Sequence, residues 1–527
     1  MNVSGLFYIL ERRTRPDLPI LSGFHAMSFL QLLVALICAL AVPLSLVLLI
    51  DTKKKRKASR NLPPGPRKLP IIGNLHQLGS LPHRSLAQLS KRYGQIMFLQ
   101  LGSIPTLVIS SEEVAREVFK AHDRTFSGRP AFYAVKKLTY NCSDVSFGAY
   151  GDSWRELRKI VILELLSSKR VQLFESVRKE EVKLMLDAIT SSPGPVNIGE
   201  LALLLANNIV CRVTFGKKWQ AEGGGVKSKF HETLRETQSV AGGFCVADLF
   251  PQIAWFNRLN GFKAKVEKSF SELDKLYNEV IEEHRDPKRP KPDHEDLVDV
   301  LLRLQRDPNR MITLTDEQIK GVLTDTFNAG SDSAAATLVW TMTELARHPS
   351  MMRKAQEEVR EAAKGKLQVE ESDLLGLTYL TSVIKEALRL HPPLPLLIPR
   401  ATIEDCKIKG YEIPRGTTVF INLTAISTDP KSWENPEEFR PERFLSSSID
   451  FNGQNYEFLP FGSGRRGCPG INFGVVIVEL ALANLLHRFN WKQPEGMSVE
   501  DIDMEEAYGL TTFKRTPLCL IATPVTG

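Results

Sequence analysis

An uncharged stretch at residues 27–50 constrains this 527-residue chain more than any other feature. It reads MSFLQLLVALICALAVPLSLVLLI, and about 20 apolar residues are enough to cross a bilayer as a helix. Residues 51–60 follow at once with a strongly basic run, DTKKKRKASR. Because basic clusters beside a membrane span stay on the cytosolic side, the sequence predicts a single-pass anchor with everything after residue 60 in the cytosol.

Two other interpretations of this stretch are a cleaved secretory signal and a buried core helix. A signal fits poorly, because the apolar run is too long and lacks a clear small-x-small cleavage site. Residues 1–26 are an N-terminal extension, either upstream of a true start at Met27 or a short lumenal tail. We expect residues 51–70 to form a basic and proline-rich hinge, since prolines at four of its last eight positions keep a backbone extended and stiff.

Composition excludes several classes of protein. The formal net charge is +7, but most of it lies in the basic run, so the rest of the chain is nearly balanced and nucleic-acid binding is not expected. The seven cysteines are odd in number and widely spaced, with no CxxC, which argues against a disulfide framework or a zinc ribbon. Without an internal repeat or a long flexible linker, residues 71–527 are predicted to form one large catalytic domain.

Hydrophobic periodicity predicts a mainly α fold with small β-sheets. Short β signals lie at 96–110 and 407–421. The predicted helices are 152–167, 171–190, 226–240, 263–284, 315–348, 350–364, 378–391 and 470–488.

The predicted helix at 315–348 carries an unusual interior. It begins with a capping-box pattern at Thr315 and ends before a His-Pro pair. Its middle contains Gly330, Asp332 and Ser333, residue types that disfavour a helix interior. One interpretation is a plain kink. The functional one is that Gly330 lets a flat ligand approach the backbone while Asp332 and Ser333 handle protons beside it.

Cys468 lies in a glycine-rich loop, FGSGRRGCPG, just before an apolar helical pattern. Loop N–H groups, Arg466 and the helix N-terminus are all expected to favour its thiolate form. The residues alone leave open a buried small hydrophobe, a nucleophile, a structural metal ligand or a haem ligand. No second Cys or His lies nearby for zinc, and no local His suggests a nucleophile. A single protein ligand suffices when a porphyrin supplies the other four.

The loop resembles the cysteine-loop signature of the cytochrome P450 family, F-x-x-G-x-R-x-C-x-G. Residues 385–389 (KEALR) resemble the family's E-x-x-R helix, and 441–444 its P-E-R-F segment. Trp154 and Arg158 fit its W-x-x-x-R helix. Residues 329–334 are similar to its oxygen-activating centre. The resemblance extends from the proline hinge to the C-terminus and is greatest to the microsomal plant A-type branch.

That resemblance implies a cytochrome P450-like fold and haem b (iron protoporphyrin IX), with Cys468 as the iron ligand. Catalytic proton delivery falls to Asp332 and Ser333, the latter standing where the family usually has Thr. The implied cofactor-binding residues are Trp154, Arg158, Arg400, Phe461, Arg466, Cys468 and Gly470. The implied buried charged triad that holds the cysteine loop is Glu386, Arg389 and Arg443. The implied substrate-pocket residues are Phe327, Asn328, Leu396, Ile398 and Leu510.

The resemblance further implies a monooxygenase of the endoplasmic reticulum membrane, with its catalytic domain on the cytosolic face. It would oxidise an apolar small molecule, a plant specialised metabolite of terpenoid, alkaloid or phenolic type. Electrons would come from NADPH through a separate flavoprotein reductase, with cytochrome b5 allowed as a second donor; no GxGxxG follows a strand here. The alternatives are a reductase-independent haem-thiolate isomerase or dehydratase, which the serine at 333 allows, and a non-enzymatic membrane-anchored haem- or sterol-binding protein.

Overall fold

One compact unit, Asn61–Gly527, contains nearly all of the chain that can be described in this computed structural model. The N-terminal extension, the predicted anchor at 27–50 and the basic run up to residue 59 lie outside the described residues. The described residues are 60–218, 229–242, 245–290, 292–310, 312–507 and 509–525.

Helices dominate the unit. Two of them, α2 and α4, are each extended by a wider π-type turn, at Glu117–Ala121 and Val161–Leu165. The α-helices are α1 Pro82–Tyr93, α2 Glu112–Arg116, α3 Tyr133–Leu138, α4 Asp152–Ile160, α5 Ser168–Leu173, α6 Glu175–Thr190, α7 Ile198–Phe215, α8 Lys229–Ala241, α9 Val246–Leu249, α10 Phe256–Leu259, α11 Phe262–Arg285, α12 Leu297–Arg306, α13 Asp316–Arg347, α14 Pro349–Ala362, α15 Glu371–Leu374, α16 Thr378–Leu390, α17 Leu423–Ser427, α18 Glu442–Leu445 and α19 Ile471–Arg488.

The strands form small sheets, which confirms the predicted fold class. One sheet has the order β1-β2-β7-β4, another β3-β11-β8, and β5-β6 and β9-β10 are two-stranded ribbons. In the first sheet β1 and β2 are antiparallel, whereas β2 and β7 are parallel. The strands are β1 Ile96–Leu101, β2 Ile104–Ile109, β3 Val196–Asn197, β4 Arg400–Ala401, β5 Cys406–Ile408, β6 Tyr411–Ile413, β7 Thr418–Ile421, β8 Phe489–Lys492, β9 Glu506–Ala507, β10 Phe513–Lys514 and β11 Cys519–Pro524.

The second half of the predicted hinge is bound to the sheet. The amide of Phe98, in β1, donates to the carbonyl oxygen of Pro64 at 2.9 Å. A Cβ at Gly65 would lie 2.2 Å from the carbonyl oxygen of Phe98, so the two backbones touch there. The proline-rich segment therefore packs along the edge of β1.

Helix α13 is 32 residues long and runs unbroken through positions 329–334. Thr315 and Gln318 form the predicted capping box at its start. Close packing explains the helix glycines. A Cβ at Gly330 would lie 3.1 Å from Val210 of α7, and one at Gly321 would lie 2.8 Å from the carbonyl oxygen of Ser143. The structure thus gives Gly330 a role in helix–helix contact.

Among the described residues, α7 and α19 are long and apolar enough to cross a membrane. Both are largely buried within the unit, and both contact α13. Their length and composition are therefore those of core helices, which satisfy the same criteria as a membrane span.

Candidate functional site

The loop that carries Cys468 is folded tightly by its own backbone. The amide of Cys468 donates to the carbonyl oxygen of Phe461 at 2.9 Å, and the amide of Gly467 donates to Gly464 at 2.9 Å. Gly462 and Gly464 have φ values of 67° and 68°, a left-handed conformation that glycine adopts without strain. The loop therefore presents the thiol at a fixed point directly before α19.

The sulfur of Cys468 accepts a hydrogen bond from the amide of Gly470 at 3.3 Å. A Cβ at position 470 would lie 4.0 Å from that sulfur, so glycine leaves it uncovered. Burial raises the pKa of the Cys468 thiol, although the Gly470 amide and Arg158 act to lower it. The Gly470 amide and Arg158 therefore act in the direction predicted for a thiolate, against the cost of desolvation. A coordinating metal ion deprotonates such a thiol outright.

The predicted W-x-x-x-R pair lies on one face of α4, as spacing i,i+4 requires. The Nη2 atom of Arg158 donates to the carbonyl oxygen of Gly467 at 2.6 Å. The indole Nε1 of Trp154 donates to the carbonyl oxygen of Val145 at 2.9 Å. The guanidinium carbon of Arg466 lies 4.0 Å from the centre of the Trp154 ring. These residues bring α4 directly against the cysteine loop.

Four guanidinium groups meet beside this loop, and we call Arg129, Arg158, Arg400 and Arg466 the guanidinium cluster. Burial lowers the pKa of each. Their mutual repulsion adds to this effect, so the pKa is lowered to about 10 for Arg400 and to about 9 for Arg466. Arginine stays charged at neutral pH in proteins, and positive charge in this buried place is costly unless an anion is bound.

Arg129 was not predicted from the sequence. Its Nη1 donates to the carbonyl oxygens of Ile398 and Pro399 at 2.7 and 2.9 Å, and its Nε donates to Ser146 at 2.8 Å. These partners are distant in sequence and use only backbone atoms, so no motif marks the position. Arg400 was predicted, and its Nη2 donates to the carbonyl oxygen of Ser463 at 2.7 Å.

Asp123 supplies one carboxylate to the cluster. Its Oδ1 lies 3.3 Å from Arg400, and its Oδ2 lies 2.9 Å from Arg465, which is half exposed. A Cβ at Gly464 would lie 2.3 Å from Asp123, so only glycine fits beside it. The single negative charge of Asp123 does not neutralise the positive charges of the guanidinium cluster. The cluster fits a ligand that carries carboxylates, as the two propionates of haem do, next to a thiol that suits its iron.

The structure brings the three residues of the predicted charged triad together. The guanidinium of Arg389 donates to both oxygens of the Glu386 carboxylate, at 2.8 and 2.9 Å. Arg443 donates to the same carboxylate at 2.9 Å. Glu386 and Arg389 are 0% and 1% exposed, so this is a buried pair rather than a surface one. The Nη1 atom of Arg389 also donates to the carbonyl oxygens of Ser427 and Pro436.

Aromatic side chains connect the triad to the cysteine loop. The guanidinium carbons of Arg389 and Arg443 lie 5.2 and 5.8 Å from the ring centre of Trp433. Trp433 contacts Phe444 and Phe458, and Phe451 contacts Phe461 edge-to-face at 5.6 Å. The cation of Lys385 lies over both Phe444 and Phe451 and joins the two groups of rings. A continuous series of ring and cation contacts therefore runs from the triad to Phe461, whose carbonyl oxygen accepts from the amide of Cys468.

Asp332 and Ser333 occupy the middle of α13 and are half-buried. The hydroxyl of Ser333 donates to the carbonyl oxygen of Ala329 at 2.7 Å. Such a back-bond uses the hydroxyl proton and leaves the oxygen able to accept one. The helix backbone thus holds the Ser333 hydroxyl in a defined position beside Asp332.

An apolar cavity of about 130 Å³ is lined in part by Leu396, Leu397 and Pro399, the residues that lead to Arg400. Of the predicted pocket residues, Leu396 and Leu510 line it, whereas Phe327, Asn328 and Ile398 do not. Phe327 is 1% exposed and packs in the main core. Ile398 instead contributes its carbonyl oxygen to Arg129. The other lining residues are Leu81, Pro82, His83, Phe132, Val135, Phe147, Ala241, Gly242, Asp248, Leu394, Pro395, Leu397, Pro399, Phe420, Ala507, Gly509 and Thr512.

Comparison with known proteins agrees with this geometry. The cytochrome P450 family model matches residues 63–520. The chain is 55% identical over 500 residues to strychnine-11-hydroxylase of Strychnos nux-vomica, covering 95% of this chain and 98% of that protein. It is 58% identical over 476 residues to cytochrome P450 71A9 of Glycine max, covering 90% and 94%.

A solved structure agrees as well. A zebrafish cytochrome P450 structure with abiraterone superposes with a TM-score of 0.71 at 25% identity, covering 85% of this chain and all of that one. Because the fold, the cysteine loop and the similarity to these relatives all agree, this chain belongs to the cytochrome P450 family of haem-dependent monooxygenases.

Proposed function

We propose that this monooxygenase hydroxylates or otherwise oxidises an apolar small molecule of plant specialised metabolism, using NADPH electrons that a separate reductase delivers. One observation carries the proposal. The segment 396–400 belongs both to the apolar cavity, through Leu396, and to the guanidinium cluster, through Arg400. Substrate bound in the cavity would therefore lie next to the cofactor.

When bound, haem supplies the one-electron chemistry and the activation of dioxygen. The chain's part would be to hold the iron through Cys468 and to deliver protons from α13. Ser333 would accept a proton at Oγ and pass on its own as the hydroxyl rotates, with Asp332 as the acid beside it. Serine lacks the methyl group that restricts the rotation of threonine, so its hydroxyl is freer to turn once its hydrogen bond to Ala329 opens during this relay.

Three exposed basic residues, each of which also pairs with a carboxylate, lie in or near the cysteine loop and support a negatively charged electron donor. Arg155 and Lys159 lie on α4, the helix that contacts Gly467 through Arg158, and Arg465 lies in the loop itself. Oppositely charged surfaces steer the encounter of redox partners. The reductase, with cytochrome b5 as a second donor, would dock on this face.

The cavity supports an apolar substrate. Leucine, proline and phenylalanine form most of its wall, and His83 and Asp248 are its titratable side chains. Such a wall gains free energy by excluding water from an apolar skeleton. The similarity to strychnine-11-hydroxylase favours an alkaloid among the terpenoid, alkaloid and phenolic classes.

Exposed apolar side chains support a location at the endoplasmic reticulum membrane. Ile71, Trp255 and Leu259 are large and exposed. The segment that contains Ile71 and the segment that leads to Trp255 both contact the turn at 102–103. The amide of Gly102 donates to the carbonyl oxygen of Ile72, and the amide of Ser103 donates to that of Leu249. Exposed apolar groups of this kind mark contact with a membrane or a partner. We propose contact with membrane lipid here, in addition to a single-pass anchor at 27–50.

The test is reconstitution of the full chain with reductase and NADPH in lipid vesicles, offered a library of alkaloids, terpenoids and phenolics. We expect a product that contains one atom from isotopically labelled dioxygen, formed only when reductase is present. Turnover without reductase would instead identify an isomerase or dehydratase. Retention of haem without turnover of any compound would favour a haem- or sterol-binding protein.

A pair of variants tests the proton relay in the same assay. Ser333→Ala should lower the fraction of consumed NADPH that appears in product, because protons then reach the site less directly. Thr341→Val is the control, since Thr341 makes the same type of back-bond, to Thr337, but lies farther along α13. Equal effects of the two variants would contradict the relay.

A further inference from the structure

The segment between α3 and α4 that we call the 144–148 loop supports the guanidinium cluster through its carbonyl oxygens. Val145 accepts from Trp154 at 2.9 Å and from Arg466 at 3.1 Å. Gly148 accepts from Arg466 at 2.7 Å. The position of this loop therefore fixes where two predicted cofactor-binding side chains lie.

The amide groups of the same loop bond to a carboxylate of α13. Val145 and Ser146 donate to Oδ2 of Asp325 at 2.7 and 3.1 Å. Asp325 thus fastens the loop to α13, two helical turns before Asp332 and on the same face of the helix.

Asp325 faces a second carboxyl group, that of Asp144, which begins the loop and is 1% exposed. The Oδ2 atom of Asp144 accepts from the amide of Phe147 at 3.1 Å. Within the described part of the chain, Oδ1 of Asp144 is buried and receives no donor. An acceptor oxygen with no donor beside another carboxylate is explained if a proton lies between them.

The surroundings decide which oxygen carries that proton. Burial and then the Asp325 charge raise the pKa of Asp144 well above its usual range. Burial also raises the pKa of Asp325, but hydrogen bonds from Ser146 and Val145 oppose the rise because they favour the ionised form. Asp144 is therefore the donor and Asp325 the carboxylate.

Tight packing keeps the two carboxyl groups together. A Cβ at Gly321 of α13 would lie 2.8 Å from the carbonyl oxygen of Ser143, and one at Gly148 would lie 2.3 Å from that of Asp144. Residues 140–142, which precede Asp144 in the chain, have φ values of 52°, 63° and 60°. Such left-handed residues persist only where the surrounding structure holds them, so the loop has little freedom to separate the pair.

We propose that Asp144 and Asp325 share one proton and act as a positioning pair for haem, fastening the 144–148 loop to α13 while contributing a single negative charge to the guanidinium cluster. The four guanidinium charges then face two negative charges, one from Asp123 and one from the pair. Two positive charges remain in excess, which is the number that two propionates neutralise. Arg465 is left out of this count because its charge is half in solvent.

The first test is infrared difference spectroscopy of the holoenzyme, wild type minus Asp144→Asn. We expect a carbonyl band of a buried protonated carboxylic acid that is present in the wild type and absent from the variant. A difference spectrum without such a band would overturn the shared proton.

The second test is the midpoint potential of the haem. Asp144→Asn keeps a donor toward Asp325 and the single negative charge, so its potential should equal that of the wild type. The double variant Asp144→Asn, Asp325→Asn has similar shapes but lacks the charge, so its potential should rise, because added positive charge favours the reduced state. Equal potentials of the single and double variants would overturn the proposal. If the double variant does not retain haem, the potential of Asp144→Asn alone tests the proposal. A potential above that of the wild type would contradict the shared proton, and an unchanged potential would support it.

Discussion

Arg158 donates to the carbonyl oxygen of Gly467 across 2.6 Å, and so ties α4 to the residue that precedes Cys468. Burial raises the pKa of the Cys468 thiol, and the charge of the same guanidinium opposes that rise. The Arg158 side chain therefore contacts the backbone of the cysteine loop and also affects the pKa of its thiol. A substitution at Arg158 is for this reason a direct test of the site.

Replacing Arg158 should weaken haem retention. A hydrogen bond from a charged group contributes about 1.5–3 kcal/mol, so Arg158→Gln should speed haem transfer to an acceptor protein roughly ten- to hundredfold. Arg155→Gln is the control on the same helix, because Arg155 is exposed and pairs with Asp152. Equal rates for the two variants would exclude Arg158 from the site.

Replacing Cys468 should abolish the thiolate spectrum. We expect Cys468→Ala to lose the carbon monoxide difference band that is typical of thiolate-ligated reduced haem. Cys519→Ala should keep it, because Cys519 is an exposed residue of β11. Persistence of the band in Cys468→Ala would show that another residue binds the iron.

Replacing the carboxylate of the triad should strongly destabilise the protein. Glu386→Gln would leave Arg389 and Arg443 buried without a counter-charge, at a cost of about 3–5 kcal/mol in the free energy of unfolding. The measurement is urea unfolding followed by circular dichroism. Glu361→Gln, at a side chain that is 77% exposed, should change that free energy by less than about 1 kcal/mol. A comparably small effect of Glu386→Gln would contradict the structural role of the triad.

The two interior glycines of α13 should differ in their response to alanine. A Cβ at Gly321 meets backbone that cannot move away, so Gly321→Ala should destabilise the protein by about 1–3 kcal/mol. A Cβ at Gly330 meets a methyl group of Val210, which can shift slightly, and alanine also gains about 1 kcal/mol of helix propensity. Gly330→Ala should therefore be nearly neutral in thermal unfolding, and the reverse order would contradict the packing.

Stability should depend on pH through Glu506, which receives hydrogen bonds from His83 at 2.9 Å and Arg84 at 2.7 Å. Burial raises its pKa, but these two partners outweigh burial and lower it to about 2. Because the folded pKa lies below the ordinary value of 4.5, the stabilisation is complete above pH 4.5 and is lost as the pH falls toward 2.

Glu506→Gln should therefore cost on the order of 2–3 kcal/mol at pH 7. Its difference from the wild type in thermal unfolding should shrink steadily as the pH is lowered below 4.5. The adjacent Glu505→Gln is the control, since Glu505 pairs with Arg515 on the exposed surface. A difference that stays constant down to pH 3 would contradict the predicted shift.

Sequence patterns predicted the fold where local chemistry determines it. The capping box at Thr315 and the His-Pro pair placed the ends of α13 within one residue. Helix α7 was missed because it is apolar on nearly all sides and shows little helical periodicity, as expected of a helix buried in the core. Helix α12 was missed although its apolar face is clear, because it follows a proline-rich loop closely.

The site was predictable where a motif carries it. The triad and the cysteine loop lie in short motifs, and the structure brings their members together. Arg129 and the Asp144–Asp325 pair depend on contacts between residues more than 100 positions apart. No local spacing encodes such contacts, so three-dimensional packing was needed to find them.

The double role of Arg129 limits how the substrate preference of this enzyme can change. Because its guanidinium donates to the carbonyl oxygens of Ile398 and Pro399, the guanidinium cluster fixes the path of the main chain through the cavity wall. New specificity can arise from exchanged side chains at Leu396 or Leu397, but insertions or deletions in that wall would loosen the prosthetic group. Directed evolution toward other substrates should therefore succeed through point changes there and fail through changes of length.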